Sequence, residues 1–160
     1  MERIPSFSID HTKLKRGLYV SRIDTIGKEY ITTFDIRMKE PNNEPVLDVP
    51  VLHTIEHIGA TFLRNDKDWA EKTVYLGPMG CRTGCYILFK GKLESSDIVD
   101  IMKQMFSFMA DFKGEIPGTA PEECGNYLSH NLSMANYESR KFLTEVLEVI
   151  KPENLTYPTI

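Results

Sequence analysis

Residues 53–57 read His-Thr-Ile-Glu-His and lie inside the apolar segment 51–64. Apolar residues recur in that segment at spacings of three and four, which predicts an amphipathic helix. One turn of helix separates His53 from His57, so both imidazoles stand on the same face. Glu56 comes three residues after His53 and leans over that face as well. The stretch therefore predicts two imidazoles and one carboxylate side by side on a helix.

This arrangement is typical of a divalent-metal site with an acid–base group beside it, and the order H-x-x-E-H marks one class of zinc hydrolases. A catalytic metal usually has three protein ligands and one open position, so a third ligand must come from elsewhere in the chain. A thiolate in that place would favour Zn²⁺ or Fe²⁺ over a hard ion such as Mg²⁺. Spacing alone leaves six candidates for the third ligand, namely Cys81, Cys85, Cys124, Glu122, Glu123 and Glu138.

The composition is that of an ordinary globular protein, with 160 residues of which 41% are hydrophobic and 26% are charged. This length predicts one domain spanning residues 1–160. The net charge of −4 gives no reason to expect nucleic acid or an anionic membrane as a partner. The first residues lack the apolar core of a secretory signal, and no apolar run approaches the ~18 residues of a membrane span. We therefore expect a cytoplasmic protein whose three cysteines are thiols or ligands.

Strand and helix patterns alternate along the chain in an order that predicts an α+β domain. The strands come in hairpin-like pairs, and the helices lie between and after them. This order favours an antiparallel sheet with helices packed on one side. The segments are strands at 18–26, 29–38, 73–76 and 85–89, and helices at 51–64, 95–112 and 133–150.

Outside those elements, three segments are predicted to be irregular. Residues 77–84 read Gly-Pro-Met-Gly-Cys-Arg-Thr-Gly and hold too many glycines for regular structure, so Cys81 is expected on a tight loop between two strands. Residues 1–17 are expected to form a solvated N-terminal arm. Residues 151–160 contain two prolines and are expected to form an extended tail.

Three segments together resemble the signatures of S-ribosylhomocysteine lyases, the LuxS family. They are His-Thr-Ile-Glu-His at 53–57, Gly-Pro-Met-Gly-Cys-Arg-Thr-Gly at 77–84, and Glu-Glu-Cys-Gly-Asn-Tyr at 122–127. Shorter matches at 6–7, 10–11 and 34–37 extend the resemblance over nearly the whole chain. The string around Cys81 is highly specific, whereas H-x-x-E-H alone occurs in unrelated enzymes.

The resemblance implies a function. Members of this family cleave S-ribosylhomocysteine to homocysteine and 4,5-dihydroxy-2,3-pentanedione, the precursor of the autoinducer-2 signal used in quorum sensing. They act in the bacterial cytoplasm as part of methyl-cycle recycling. They are homodimers with active sites at the subunit interface, and they hold one divalent metal per subunit, Fe²⁺ first and Zn²⁺ as a substitute.

The resemblance also implies a set of site residues, with the partner subunit expected to supply some of the substrate contacts. Matched to the family motifs, the metal ligands are His53, His57 and Cys124, the acid–base pair is Cys81 and Glu56, and the substrate contacts are Ser6, His11 and Arg37. Two positions depart from the pattern. Tyr75 stands where many members have Asp, and Cys85 stands where many have an aromatic residue, so Cys85 is interpreted as a small buried hydrophobe.

Two other functions remain open on the residues alone. The first is an inverzincin-like metallopeptidase that uses His53, Glu56 and His57, with Glu138 as its third ligand. The second is a protein that binds metal without catalysis. The fourth histidine, His130, matches no part of the pattern and is expected at the surface.

Overall fold

The chain begins its sheet with a hairpin, as its alternating pattern predicts. The computed structural model describes residues 4–159. Strand β1 (Gly17–Ile26) pairs antiparallel with β2 (Glu29–Arg37). The two-residue turn between them starts at Gly27, whose φ of 64° lies in the left-handed region that glycine adopts without steric cost.

A second hairpin completes a four-stranded antiparallel sheet in the order β1-β2-β4-β3. Strand β3 (Thr73–Pro78) pairs with β4 (Gly84–Lys90), and β4 also pairs with β2. Strand β3 runs two residues beyond its predicted end, which shortens the glycine-rich loop to residues 79–83. Gly84 is required where β4 meets β2, because a Cβ there would lie 2.0 Å from the Ile36 carbonyl oxygen.

Three helices accompany the sheet, and their irregular ends differ from the prediction. They are α1 (Val49–Asn65), α2 (Val99–Asp111) and α3 (Leu132–Phe142). A 3₁₀ turn (Ser95–Ile98) precedes α2, and one π-helical turn (Leu143–Leu147) follows α3. The predicted helices at 95–112 and 133–150 therefore exist, but neither is a continuous α-helix. Within residues 4–159, no helix combines the length and apolarity needed to cross a bilayer.

The core lies between one face of the sheet and the helices. Phe34 and Ile36 of β2 point the same way because side chains alternate along a strand. They join Ile87 of β4 and Ile55 of α1 in one cluster of buried side chains. Burying a side chain of this size contributes about 1.5–3 kcal/mol. The predicted α+β class, with an antiparallel sheet and helices on one face, is confirmed.

The terminal segments lie nearer the sheet than predicted. Leu14 is fully buried, so the prediction of a solvated arm over residues 1–17 is wrong there, and residues 1–3 lie outside the described residues. Residues Pro5–Ser8 form a 3₁₀ turn, and Pro152–Asn154 form another in the predicted tail. Ile9 forms a β-bridge with Thr159, which joins the two ends of the described chain.

Candidate metal centre and active site

Helix α1 places the three motif side chains at the border of the core. Pro50 stands in its first turn, where the missing N–H leaves no hydrogen bond unmade. The opposite stripe of the helix, which includes Ile55 and Ile58, is buried in the core. His53, Glu56 and His57 are half-buried. The amphipathic pattern therefore fixes which way the motif faces, as predicted.

Backbone carbonyls fix the tautomer of both motif histidines. His53 Nδ1 lies 2.9 Å from the Ser129 carbonyl oxygen, and His57 Nδ1 lies 2.8 Å from the Pro117 carbonyl oxygen. A carbonyl can only accept, so each Nδ1 carries the proton and donates it. In the neutral ring the lone pair is then on Nε2, which is the arrangement that a metal ligand needs.

The Cys124 thiol meets these two Nε2 atoms. Its Sγ lies 3.4 Å from His53 Nε2 and 3.9 Å from His57 Nε2. In a tetrahedral site with Zn–N near 2.0–2.1 Å and Zn–S near 2.3 Å, ligand nitrogen and sulfur are about 3.6 Å apart. The observed separations bracket that value. The donor atoms of His53, His57, Cys124 and His130 all lie within 4.8 Å of one another, so this cluster can hold a metal ion.

His130, which was expected at the surface, is half-buried and belongs to the cluster. Its ring stacks on that of His53, with centroids 4.0 Å apart and an interplanar angle of 23°. Its Nδ1 lies 3.2 Å from Thr54 Oγ1, whose own proton goes to the Pro50 carbonyl. His130 Nδ1 is therefore the donor, and its Nε2 faces Cys124 Sγ at 4.0 Å.

Ring spacing sets one pair of the three clustered histidines, His53 and His130, apart from the other two pairs. Imidazoles that bind one ion tetrahedrally through Nε2 have centroids about 5 Å apart. The His53 and His57 centroids, at 4.6 Å, and the His57 and His130 centroids, at 4.9 Å, are near that distance. The His53 and His130 centroids, at 4.0 Å, are closer because these two rings stack. His130 is thus a stacked neighbour that also presents a nitrogen lone pair. No sequence signal identified it, because its six-residue offset from Cys124 spans a turn.

The other candidate third ligands are engaged elsewhere or outside the cluster. Glu138 pairs with Lys39 at 2.8 Å, and both side chains are largely buried. Glu123 accepts a hydrogen bond from the Ala120 N–H at 3.3 Å. Cys85 is buried in the sheet, where burial and the negative charge of Glu56 raise its thiol pKa to about 12. These three, together with Cys81 and Glu122, are not part of the four-residue cluster.

Glu56 lines a cleft next to the cluster. The cleft has a volume of about 390 Å³, within the range of small-molecule sites. His53 and Glu56 form one wall, and Met79, Gly80 and Arg82 of the glycine-rich loop form another. A ligand in this cleft would lie between the carboxylate and the loop that carries Cys81.

Backbone hydrogen bonds hold the glycine-rich loop in a fixed shape. The Arg82 N–H donates to the Met79 carbonyl at 3.0 Å, which closes a turn around Cys81. Arg82 has a φ of 60°, a region that side-chain-bearing residues rarely adopt. Its carbonyl accepts from the Leu47 N–H at 2.9 Å, which ties the loop to the segment before α1. Cys81 is exposed at the tip of this turn.

The surroundings of Cys81 favour its thiolate. Its Sγ lies 3.1 Å from Thr83 Oγ1 and 3.7 Å from Arg37 Nη1. Thr83 Oγ1 accepts from Arg37 at 2.6 Å, so its own proton is available to the sulfur. Partial burial raises the pKa of Cys81, but the Thr83 hydrogen bonds and the Arg37 charge outweigh it and the net pKa is lowered.

Arg37 belongs to a buried polar group on the face of the sheet away from the helices. It forms an ion pair with Asp35 at 2.5 Å, and both side chains are almost completely buried. His11 lies close enough for its charge to act on Asp35. The His11 ring donates from Nδ1 to the Ile9 carbonyl at 2.9 Å, which leaves Nε2 as an acceptor. The fold thus gathers three predicted site residues, His11, Arg37 and Cys81.

Comparison with known proteins identifies the family. The profile of the S-ribosylhomocysteinase (LuxS) family matches residues 4–153. The chain belongs to this family. It is 61% identical over 159 residues to the S-ribosylhomocysteine lyase of Phocaeicola vulgatus, which covers 99% of each chain. It is 60% identical over 158 residues to that of Porphyromonas gingivalis, again over 99% of each chain.

A third relative, the S-ribosylhomocysteine lyase of Desulfotalea psychrophila, is 57% identical over 159 residues, which are 99% of this chain and 100% of that protein. The predicted membership in the LuxS family is confirmed, and so is the prediction of an enzyme of the S-ribosylhomocysteine lyase type.

The two departures from the LuxS pattern have different surroundings. Tyr75 is 51% exposed and folds over Gly77, where a Cβ would lie 2.0 Å from its hydroxyl. It lines a second cleft, of about 470 Å³, together with Ser6 and Tyr86. Cys85 is only 3% exposed, in agreement with its interpretation as a small buried hydrophobe.

One chain does not bring every predicted LuxS site residue into one cavity. His53 and Glu56 line the cleft beside α1, whereas Ser6 lines the cleft with Tyr75 on the other face of the sheet. Arg37 also lies on that second face, next to Cys81. The clefts that hold Ser6 and Glu56 are therefore separate within this chain.

Proposed function

We propose that this chain cleaves S-ribosylhomocysteine to homocysteine and 4,5-dihydroxy-2,3-pentanedione. The convergence of Cys124 Sγ on the Nε2 atoms of His53 and His57 is the observation that carries the proposal. Full-length relatives at 57–61% identity are named for this reaction. In the same proposal, the products serve methyl-cycle recycling and autoinducer-2 synthesis in a bacterial cytoplasm.

We infer that His53, His57 and Cys124 hold one divalent metal, Fe²⁺ first and Zn²⁺ second. Two imidazoles with fixed tautomers and one soft thiolate suit either ion. When bound, the metal supplies positive charge that polarises a sugar carbonyl and favours proton loss from the neighbouring carbon. Glu56 is outside this donor set and stays free to exchange protons.

The reaction needs two proton-transfer groups. The thioether leaves by β-elimination only after the sugar carbonyl has moved from C1 to C3, and each move transfers protons between neighbouring atoms. We assign these transfers to Glu56, in the cleft next to His53, and to Cys81, whose thiolate is favoured by Arg37 and Thr83. Elimination then breaks the carbon–sulfur bond, and the released thiolate takes up a proton.

Substrate binding is assigned to Ser6, His11 and Arg37, in a homodimer whose sites lie at the subunit interface. The separation of the Ser6 cleft from the Glu56 cleft supports a shared site. Complementation tests this part. Inactive Glu56→Gln and His11→Ala chains, once mixed and allowed to exchange, should recover about one quarter of wild-type activity, because half the dimers are mixed and each has one intact site. No recovery despite confirmed exchange would refute a shared site.

The reaction itself is tested by supplying S-ribosylhomocysteine to the Fe²⁺-loaded protein without oxygen and following free thiol. Homocysteine release that Cys81→Ala abolishes supports the proposal. Absence of thiol above background, with metal confirmed bound, would refute it. The metallopeptidase alternative loses support from the ion pair between Glu138 and Lys39, because that pairing removes its expected third ligand from the cluster.

A further inference from the structure

The last described residues of the chain, 156–159, here called the C-terminal tail, lie on the face of the sheet away from the helices. The Asp10 N–H donates to the Pro158 carbonyl at 3.2 Å, and Ile9 bridges Thr159. The Tyr157 ring stacks on Tyr19 with centroids 4.7 Å apart and an angle of 12°. The tail is therefore held in place on two sides.

The hydroxyl of Tyr157 reaches the buried ion pair beside Cys81. It donates to Asp35 Oδ2 at 2.6 Å. The same carboxylate oxygen accepts from Arg37 Nη2, while Arg37 Nη1 faces Thr83 and Cys81. An unbroken line of polar contacts thus joins Tyr157 to the Cys81 sulfur.

The ion pair is incompletely satisfied, which makes each contact important. Among the buried atoms of the described residues, Asp35 Oδ1 and Arg37 Nε have no hydrogen-bond partner. Tyr157 is thus the neutral donor that supports the carboxylate, and Arg37 is its ionic partner. A buried carboxylate with fewer hydrogen bonds is less favourable as an anion and less fixed in orientation. The guanidinium that it holds would then be less firmly placed next to the sulfur.

The charged and titratable groups around this line are few. Arg37 is the cation that acts on Cys81, and Tyr86 of β4 also interacts with Cys81. Asp35 is affected by Arg37 and by His11 of the N-terminal segment. Burial raises the pKa of Asp35, and the Arg37 charge with the hydrogen bonds from Arg37 and Tyr157 opposes that rise.

We propose that Tyr157 is a positioning residue that holds the Asp35–Arg37 ion pair against Cys81. By the same contact, the C-terminal tail sets how readily Cys81 ionises. The effect on thiol ionisation follows from the contacts alone. The consequence for turnover rests on the proposed role of Cys81 as a base.

Tyr157→Phe tests the inference because it removes one hydroxyl and keeps the ring stacked on Tyr19. The rate of Cys81 alkylation by iodoacetamide is followed against pH in the zinc-loaded protein, with mass spectrometry to select the Cys81 peptide. We expect the apparent pKa to rise by about half a unit, which makes alkylation about threefold slower below that pKa. Tyr137→Phe is the matched control, since Tyr137 is 57% exposed on α3. Its profile should match that of the wild type.

The outcomes separate the inference from the proposed function. Circular dichroism first checks that both variants are folded. A Tyr157→Phe profile that superimposes on the wild type overturns the positioning role, whatever turnover does. If the pKa of Cys81 rises in Tyr157→Phe alone, the positioning role is supported, and a lowered pKa overturns it. A shift combined with full homocysteine release by Cys81→Ala would keep the positioning role and remove Cys81 from the proposed mechanism.

Discussion

Thr83→Val tests the hypothesis that the Thr83 hydroxyl stabilises the thiolate of Cys81. The hydroxyl lies 3.1 Å from the sulfur, and it accepts from Arg37, so its proton points to Cys81. Valine keeps the branched shape and the burial of this side chain but removes the donor. Arg37 keeps its ion pair with Asp35, so the positive charge near Cys81 remains. The variant therefore removes the donor to Cys81 together with the acceptor of Arg37 Nη1, while the Asp35–Arg37 ion pair stays.

The magnitude follows from the charge on the acceptor. A hydrogen bond to a charged group is worth about 1.5–3 kcal/mol, and one pKa unit corresponds to about 1.36 kcal/mol. Loss of this hydrogen bond therefore corresponds to a change of roughly 1–2 units in the pKa of Cys81. Cys81 is exposed, so solvent replaces part of the lost bond and the lower end applies. Loss of a donor to the anion raises the pKa, and we expect a rise of about one unit.

The measurement is the pH dependence of Cys81 alkylation, because only the thiolate reacts. At a pH well below the wild-type pKa, Thr83→Val should react about tenfold more slowly than the wild type. Thr83→Ser is the control, since it keeps the hydroxyl and should keep the wild-type profile. Lyase activity should fall in parallel at low pH and recover as the pH rises through the new pKa.

Three results would refute this reasoning. If Thr83→Val and Thr83→Ser both follow the wild-type profile, the hydroxyl does not donate to the thiolate. If both are shifted equally, the change comes from disturbed loop packing and not from a lost hydrogen bond. A lowered pKa in Thr83→Val would mean that Arg37, freed from Thr83, moves closer to the sulfur and dominates its ionisation.

Four further variants separate the roles of other residues. His57→Ala should lose the metal, whereas His130→Phe, which keeps a ring to stack on His53, should retain it; metal analysis after dialysis checks this, and loss in both would make His130 a ligand. Glu56→Gln should keep the metal and stop homocysteine release, and normal release would remove it as a base. Glu138→Gln should leave metal content unchanged but lower the free energy of unfolding in urea by roughly 1.5–3 kcal/mol, because Lys39 loses its shorter carboxylate contact and keeps Glu44 at 3.9 Å. Metal loss in this variant would instead support the peptidase hypothesis.

Local patterns were sufficient to predict most of the fold. The strand at 29–38 alternates cleanly because one face packs on helices, and its observed partner register places Ile36 opposite Cys85 inside the core. The spacing of apolar residues in α1 likewise predicted the side of the helix on which His53 and His57 lie, because the apolar stripe packs on the core. Gly27 marked the hairpin turn by its conformational freedom.

Local sequence patterns could not predict contacts between segments that are distant in the chain. Leu14 is fully buried in a segment that looks polar, and a local pattern does not signal that burial. Tyr157 reaches Asp35 across 122 positions, and no local pattern signals such a contact. Glu138 was a conceivable ligand by spacing, yet it faces Lys39, 99 positions earlier.

The loop between α2 and α3, residues 112–131, explains why the metal centre was predictable only in part. A loop of this length without its own secondary structure is usually functional. It supplies Cys124 and His130, and its Pro117 and Ser129 carbonyls accept the Nδ1 protons of the α1 histidines. The helix pattern predicts the imidazoles, but their useful tautomers depend on carbonyls that the loop places only when folded. The ligand set therefore forms only when this loop is ordered. Metal binding should stabilise the ordered loop and the ligand set together.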